Sequence, residues 1–235
     1  MAQDGFGTMA EDYVKILWNA EEWAGDSPTT NEIAARLGVA APTVSGNLRR
    51  LAREGLIDYE PYGRATLTDA GRTLGADVVR RHRLLETFLV EHLGYGWDEV
   101  HDEAEVLEHA VSDRLLAVID QELGYPDHDP HGDPIPRPGS THPEGRRLRD
   151  VEPGRTVVVA RVSDHEPELL RYLAGLTIGV GTRITVEARH DFAGSMTIVI
   201  GGSERAPASA PTPTTRTELA FPAANAMWVR DGTEP

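Results

Sequence analysis

The feature that most constrains this chain is a change of period along it. From Glu11 to about Leu123 apolar residues recur at spacings of three and four, the pattern of helices with one buried face. Residues 124–154, GYPDHDPHGDPIPRPGSTHPEGRRLRDVEPG, break that pattern with Pro, Gly, Asp and His, and read as a linker. Beyond it, Thr156–Val162, Arg183–Ala188, Met196–Ile200, Glu218–Phe221 and Met227–Arg230 are short β-rich runs divided by turns, with one helix at Glu166–Leu173. The expected class is therefore mainly α with small β parts, ending in a small half-open β-barrel. The loop 202–217 reads as mobile and is assigned no function. There is no internal repeat.

The inventory of side chains narrows the chemistry. The 235 residues are 40% apolar and 26% charged, a composition that folds. With no cysteine there can be no disulfide, thiolate metal site, iron–sulfur cluster or cysteine nucleophile, so any metal is held by oxygen and imidazole. No run approaches the ~18 apolar residues of a membrane span. The start, MAQDGFGTMAEDY, lacks the basic-then-apolar pattern of a signal peptide, so a cytoplasmic protein without a membrane partner is expected. Lys15 is the only lysine among 23 basic residues, a bias that genomic base composition also produces. Thirty-eight acids give a net charge of -15, which argues against a nucleic-acid partner if spread evenly.

It is not spread evenly. Between Thr30 and Arg72 six Arg meet five acids. That region also carries a helix-turn-helix pattern: a first helix Glu11–Trp23, a Thr29/Glu32 capping box opening a second helix Thr30–Leu37, Gly38 as its stop, and a third helix with Pro42 in its first turn. Leu56–Tyr59 and Ala65–Thr68 then form a hairpin, the wing of a winged helix. Thr30, Thr43, Ser45 and Asn47 are candidate donors to phosphates or base edges. Arg49, Arg50 and Arg64 can neutralise phosphates, and Ala41 and Pro42 can touch thymine methyls. Few of these read bases strongly, so shape readout is expected to carry much of the specificity. A winged helix used only for protein contact is the alternative.

The acids concentrate between Trp97 and Pro134, where twelve of them stand with four His and one Arg. A solvated face is the ordinary explanation. Spacing points further: Glu105, Glu108 and His109 stand at i, i+3 and i+4, one face of a helix, with His101 one turn earlier. His82 and Glu86 form another i, i+4 pair on a long helix Asp69–Leu93. Two such helices can build a metal site in a bundle. Leu84, Leu85, Phe88, Leu89, Val106, Leu107, Val111, Leu115, Leu116 and Ile119 offer more apolar surface than this segment covers alone, and a homodimer would bury it. His92, His128, His131 and His142 read as surface residues. No nucleophile elbow, phosphate loop or HExxH is present, so an enzyme, such as a metal-dependent hydrolase, and a small organic substrate are not expected.

Glu-Asp-Tyr near the start, Ala-Pro-Thr-Val-Ser, Arg-His-Arg-Leu-Leu-Glu, and Val-His-Asp-Glu-Ala-Glu-x-Leu-Glu-His-x-x-Ser-Asp followed by Gly-Asp-Pro-Ile-Pro resemble the diphtheria toxin repressor family of metal-dependent transcriptional regulators. The resemblance covers residues 8–138 closely and 151–235 loosely. It implies a winged helix-turn-helix DNA-binding domain (1–73), a helical dimerisation and metal-binding domain (74–140), a linker (141–153) and an SH3-like (FeoA-like) domain (154–235). It also implies a homodimer on a pseudo-palindromic operator in double-stranded DNA. Carried over by position, a regulatory site would use Asp12, Glu105, Glu108 and His109. An ancillary site would use His82, Glu86 and His101 with Glu166 from the last domain, and His165, Asp164 or Glu168 as substitutes. Carboxylates replace the soft ligands of the iron-sensing branch, which favours Mn(II), in two sites per subunit, with Fe(II) or another divalent metal as the alternative.

Overall fold

The computed structural model describes residues 7–23, 27–60, 63–137, 145–204 and 214–232. The chain divides into two compact units, one of residues 1–82, 107–113 and 136–142, the other of residues 83–106, 114–135 and 143–235. In the first, α1 (Thr8–Trp23), α2 (Thr30–Leu37) and α3 (Ala41–Arg53) precede an antiparallel hairpin of β1 (Ile57–Asp58) and β2 (Thr66–Leu67). The capping box forms: Thr29 Oγ1 accepts from Glu32 N at 3.3 Å and Glu32 Oε2 accepts from Thr29 N at 2.6 Å. Gly38 then closes α2 at φ 64°.

Val14 and Leu17 of α1, Ile33 of α2, Val44, Leu48 and Leu51 of α3, and Leu56, Ile57, Ala65 and Leu67 of the hairpin are buried in one cluster. Burying each large aliphatic side chain contributes roughly 1.5–3 kcal/mol. This shared core ties α1 to the two helices after it. The hairpin approaches the next helix closely, since a Cβ at Gly71 would stand 2.0 Å from Leu56 O.

That helix, α4 (Asp69–Leu93), has the bounds read from the sequence, and the division between the units falls after its His82. The second unit adds α5 (Val100–Leu107), α6 (Asp113–Glu122) and a six-stranded antiparallel sheet in the order β3-β8-β4-β5-β6-β7. Its strands are β3 (Arg146–Arg147), β4 (Thr156–Val162), β5 (Thr182–His190), β6 (Ser195–Ser203), β7 (Thr215–Ala220) and β8 (Met227–Asp231). α7 (Pro167–Gly175) follows β4, and α8 (Phe221–Asn225) separates β7 from β8. The sheet buries Val157, Val159, Ile184, Val186, Ile198, Ile200 and Val229 against Leu170 and Leu173 of α7. The five-residue α8, not foreseen, begins at Phe221, where the sequence suggested strand, because Phe221, Ala223 and Ala224 are its buried face. Of the loop 202–217, residues 205–213 lie outside the described residues.

Residues 126–137 form no simple linker. Asp129 Oδ1 accepts the backbone N–H groups of His131 and Asp133 at 2.8 and 2.9 Å, and His131 O accepts from Val162 N at 2.9 Å. Asp129, His131, Asp133 and Ile135 are buried. Gly132 is held at φ 88°, where a Cβ would meet Ala160 O at 2.0 Å. The polar composition misled because side chains here make the hydrogen bonds that a helix or strand would otherwise supply. No helix among the described residues is long and apolar enough to cross a membrane.

Candidate metal centres

In the first unit α1 and the turn after α5 bring Asp12, Glu108 and His109 together, with one ligand-type atom from each within 4.8 Å of the others. The helical face expected for Glu105, Glu108 and His109 is not what assembles them. α5 ends at Leu107, and Ala110 N closes a turn on Leu107 O at 2.9 Å. Within the second unit Glu105, 43% exposed, has Oε1 at 3.6 Å from His101 Nε2.

The first centre is oriented from outside. His109 Nδ1 donates to Glu11 Oε2 at 2.6 Å, and Glu11 Oε1 accepts from Arg81 Nη1 at 3.3 Å. That leaves His109 Nε2 facing Asp12 Oδ1 at 3.0 Å and Glu108 Oε1 at 3.5 Å. A carboxylate behind the imidazole is the usual support of a metal-bound histidine. Glu108 Oε1 is buried and makes no hydrogen bond among the described residues. Its Oε2 accepts from Lys15 Nζ at 2.7 Å and lies 2.6 Å from His82 Nδ1. Burial, the strongest influence on Glu108, pushes its carboxyl upward, but the His82 hydrogen bond and the Lys15 charge outweigh it and hold the group below the usual range. Two carboxylate oxygens and one imidazole nitrogen, one oxygen buried without a donor, fit a hard divalent cation.

The second unit holds a deeper cluster. Glu86 Oε1 of α4 is 3.4 Å from His101 Nδ1, which is 3.2 Å from Asp164 Oδ2, just beyond β4. Glu86 also groups with Asp129 and His131, all three buried. His131 Nε2 donates to Trp97 O at 2.7 Å, so Nδ1 is the nitrogen available to a ligand, and it stands buried without a hydrogen bond among the described residues, 3.8 Å from Glu86 Oε2. Among the described residues Asp129 Oδ2 likewise has no hydrogen bond and is buried 3.6 Å from Arg83 Nε. Burial depresses both histidines, yet acidic neighbours reverse this: Asp164 and Glu86 lift His101 to about 11, and Glu86 and Asp129 lift His131 to about 10. Burial and the Asp133 charge push Asp129 up to about 8, whereas Asp164, despite burial, is held well below the carboxylate range by His101. The acidic neighbours thus favour positive charge at both imidazoles.

The carboxylate that β4 turns to His101 is therefore Asp164 and not Glu166, which is exposed at the start of α7 without a side-chain cap. His165 Nδ1 lies 3.4 Å from Asp164 Oδ1 and its ring meets His101 edge-on. His131, read as a surface residue, is fully buried. Arg83 donates to Pro134 O at 2.6 Å and lies 3.4 Å from Asp133.

α3 turns an exposed face of Pro42, Thr43, Gly46, Arg49, Arg50 and Arg53 outward, and Ala41 and Ser45 are half-buried beside it. Some expected contacts have partners within the unit. Asn47 Nδ2 donates to Tyr13 OH at 3.1 Å, Arg50 pairs with Glu54 at 2.8 Å, and Arg64 donates to Ser27 O at 2.5 Å. Thr30 is the first residue of α2 and half-buried.

Comparison with known proteins gives the same layout. Family models match for the iron dependent repressor N-terminal DNA binding domain at residues 5–65, its metal binding and dimerisation domain at 68–137, and the FeoA domain at 146–206. The iron-dependent repressor IdeR of Mycobacterium tuberculosis is 34% identical over 208 residues, 83% of this chain and 89% of that protein. The chain belongs to the iron-dependent repressor family. Members are metal-dependent, DNA-binding transcriptional repressors and not enzymes. A manganese-dependent transcriptional repressor in complex with manganese is 50% identical with a TM-score of 0.85, over 94% of this chain and 99% of that one. ScaR with bound Zn2+ is 34% identical with a TM-score of 0.77, over 94% of this chain and 99% of that one. In this repressor the residues missed from sequence, Glu11, Asp129 and His131, have no helical spacing to betray them. Their partners lie 98, 43 and 45 positions away, at His109 and Glu86.

Proposed function

We propose that the protein is a Mn(II)-activated repressor acting as a homodimer on pseudo-palindromic operators of metal-uptake genes. The observation that carries this is the meeting of Asp12 from α1 with Glu108 and His109 in the first unit. When bound there, a divalent ion supplies positive charge between the carboxylates and fixes their separation. Without it Asp12 and Glu108 repel, and α1 is less firmly held to the Glu108–His109 turn. Because α1 shares its core with α2 and α3, whatever fixes Asp12 also fixes α3, the helix that would present Thr43, Arg49 and Arg50 to DNA. Moving such an equilibrium from 1:99 to 99:1 takes about 5.5 kcal/mol of preference, which several metal–ligand bonds made in one state can supply. Glu86, His101, Asp164, Asp129 and His131 would hold a further ion in the second unit.

The donors are oxygen and imidazole with no sulfur, which supports manganese, as does the manganese-bound relative. The iron-dependent relatives support Fe(II) as the second reading. Val106, Leu115 and Val118, exposed on α5 and α6, supply apolar surface for the dimer. Anaerobic operator mobility shifts at matched free Mn(II) and Fe(II) test the proposal. Retarded DNA only with metal, and at lower Mn(II) than Fe(II), is expected; stronger activation by iron overturns the manganese assignment, and no metal dependence overturns the whole.

A further inference from the structure

A chain that uses arginine for 22 of its 23 basic residues keeps its one lysine at a buried position, Lys15, 5% exposed. Lys15 stands one turn beyond Glu11 and Asp12 on α1, and its ammonium is set among atoms that ordinarily ligate metals. Nζ is 2.7 Å from Glu108 Oε2 and 3.0 Å from His82 Nδ1, and those two atoms are 2.6 Å apart. One ring nitrogen cannot donate to Glu108 and accept from Lys15 at once, so His82 Nδ1 makes one of these two hydrogen bonds, while the bond from Lys15 Nζ to Glu108 Oε2 sets the positive charge against the carboxylate in either case. Glu108 is thereby divided: Oε2 belongs to Lys15, and Oε1 is turned toward His109 Nε2 at 3.5 Å. A guanidinium, planar and forked, fits a space defined by two converging atoms less closely than a compact ammonium does.

We propose that Lys15 is a tethered cation occupying the second cation position of the first centre, so that this centre takes one divalent ion where its acids and imidazoles could otherwise take two. The inference rests on the reading of Asp12, Glu108 and His109 as metal ligands. It has a functional consequence: with its second cation position permanently filled, the first centre responds to metal concentration without cooperativity between neighbouring ions. Lys15 also holds Glu108 with one oxygen aimed at the remaining position in the absence of metal, which makes it a positioning residue for that ligand.

The test counts Mn(II) bound per full-length chain, from the EPR signal of the unbound ion. Asp12→Ala should bind one ion fewer than wild type; if it binds the same number, the reading of the first centre fails, whatever Lys15 does. Lys15→Arg should keep the wild-type count, its charge remaining even if its fit is poorer. Lys15→Glu, which exchanges the ammonium for a further carboxylate, should bind one ion more than wild type, with the weakened signal of two neighbouring, coupled ions. An unchanged count in a Lys15→Glu protein of native circular dichroism overturns the proposal. Should that variant fold poorly without metal, Lys15→Met gives a separate readout. Its metal-free Tm should fall, and its Tm gain on saturation with Mn(II) should exceed the wild-type gain, because ions now supply both positive charges. A Tm gain equal to or below that of wild type overturns the proposal as well.

Discussion

The two candidate centres use the same side-chain types in opposite settings. The first is part-exposed, its His109 and Asp12 side chains 18% and 31% accessible, and its charge is balanced by a fixed ammonium. In the second, Glu86, Asp129 and His131 are fully or almost fully buried, and the raised histidines share the balance with the buried Arg83 guanidinium. A partly open site suits reversible exchange of an ion. A sealed site inside a packed unit suits a long-lived, supporting ion. The same carboxylate–imidazole chemistry is thus set by burial and by the positive charges packed around it.

The largest expected effect separates the two roles. Asp12→Ala should abolish metal-dependent operator retention in mobility shifts while leaving the second-unit ion in place; wild-type activation would break the distinction between a sensing and a supporting centre. Next, Gly132→Ala should destabilise the second unit by about 2–4 kcal/mol, since a Cβ there collides with Ala160 O and the backbone is at positive φ. Chemical denaturation reads this, and the hairpin around the first unit's core should be unaffected in its exchange protection.

Glu11→Gln should weaken metal binding at the first centre by about 10–100-fold, the usual effect of removing support behind a ligating histidine. Isothermal titration checks it, and an unchanged affinity would mean that Glu11 does not orient His109.

The smallest effect is in pH. His101, His131 and Asp129 all have folded values raised above their ordinary ones, so the folded state holds these protons more tightly than the unfolded state. The histidine contributions are complete below about 6.5 and vanish as pH rises through about 10 and about 11; that of Asp129 is gone above about 8. Metal-free protein should therefore lose stability from pH 7 toward 9, by about 1.4 kcal/mol per unit for each such proton at most. Denaturation in chelator should show the slope, and Mn(II), which displaces the protons, should flatten it. A metal-free slope of the opposite sign would remove the proton-filled description of the second centre.

Much of the architecture was readable from local rules. The bounds of α2, α4 and β4 follow from a capping box, an αL glycine and unbroken periodicity, which are properties of neighbouring residues. The pairing of His101 with Glu105 was readable for the same reason. Glu108 and His109 follow from their spacing with Glu105, although both lie in the turn after α5 and not on its helical face, and Asp12 follows only from the family resemblance. Misreadings occurred where side chains from distant positions meet. The run of Pro, Gly, Asp and His after Tyr125 resembles a linker until Asp129 is seen capping His131 and Asp133 and Gly132 is seen against Ala160.

Helical and β-rich halves, the winged helix-turn-helix and a metal chemistry limited to oxygen and imidazole are written in the amino-acid order, because periodicity, caps and inventory act over a few residues or none. Only the tertiary structure decided that Glu11 backs His109, that Asp164 and not Glu166 meets His101, that His131 is buried, and that Lys15 holds Glu108. Burial, tautomer and charge balance depend on what the fold brings within a few ångströms, and no spacing along one chain records that.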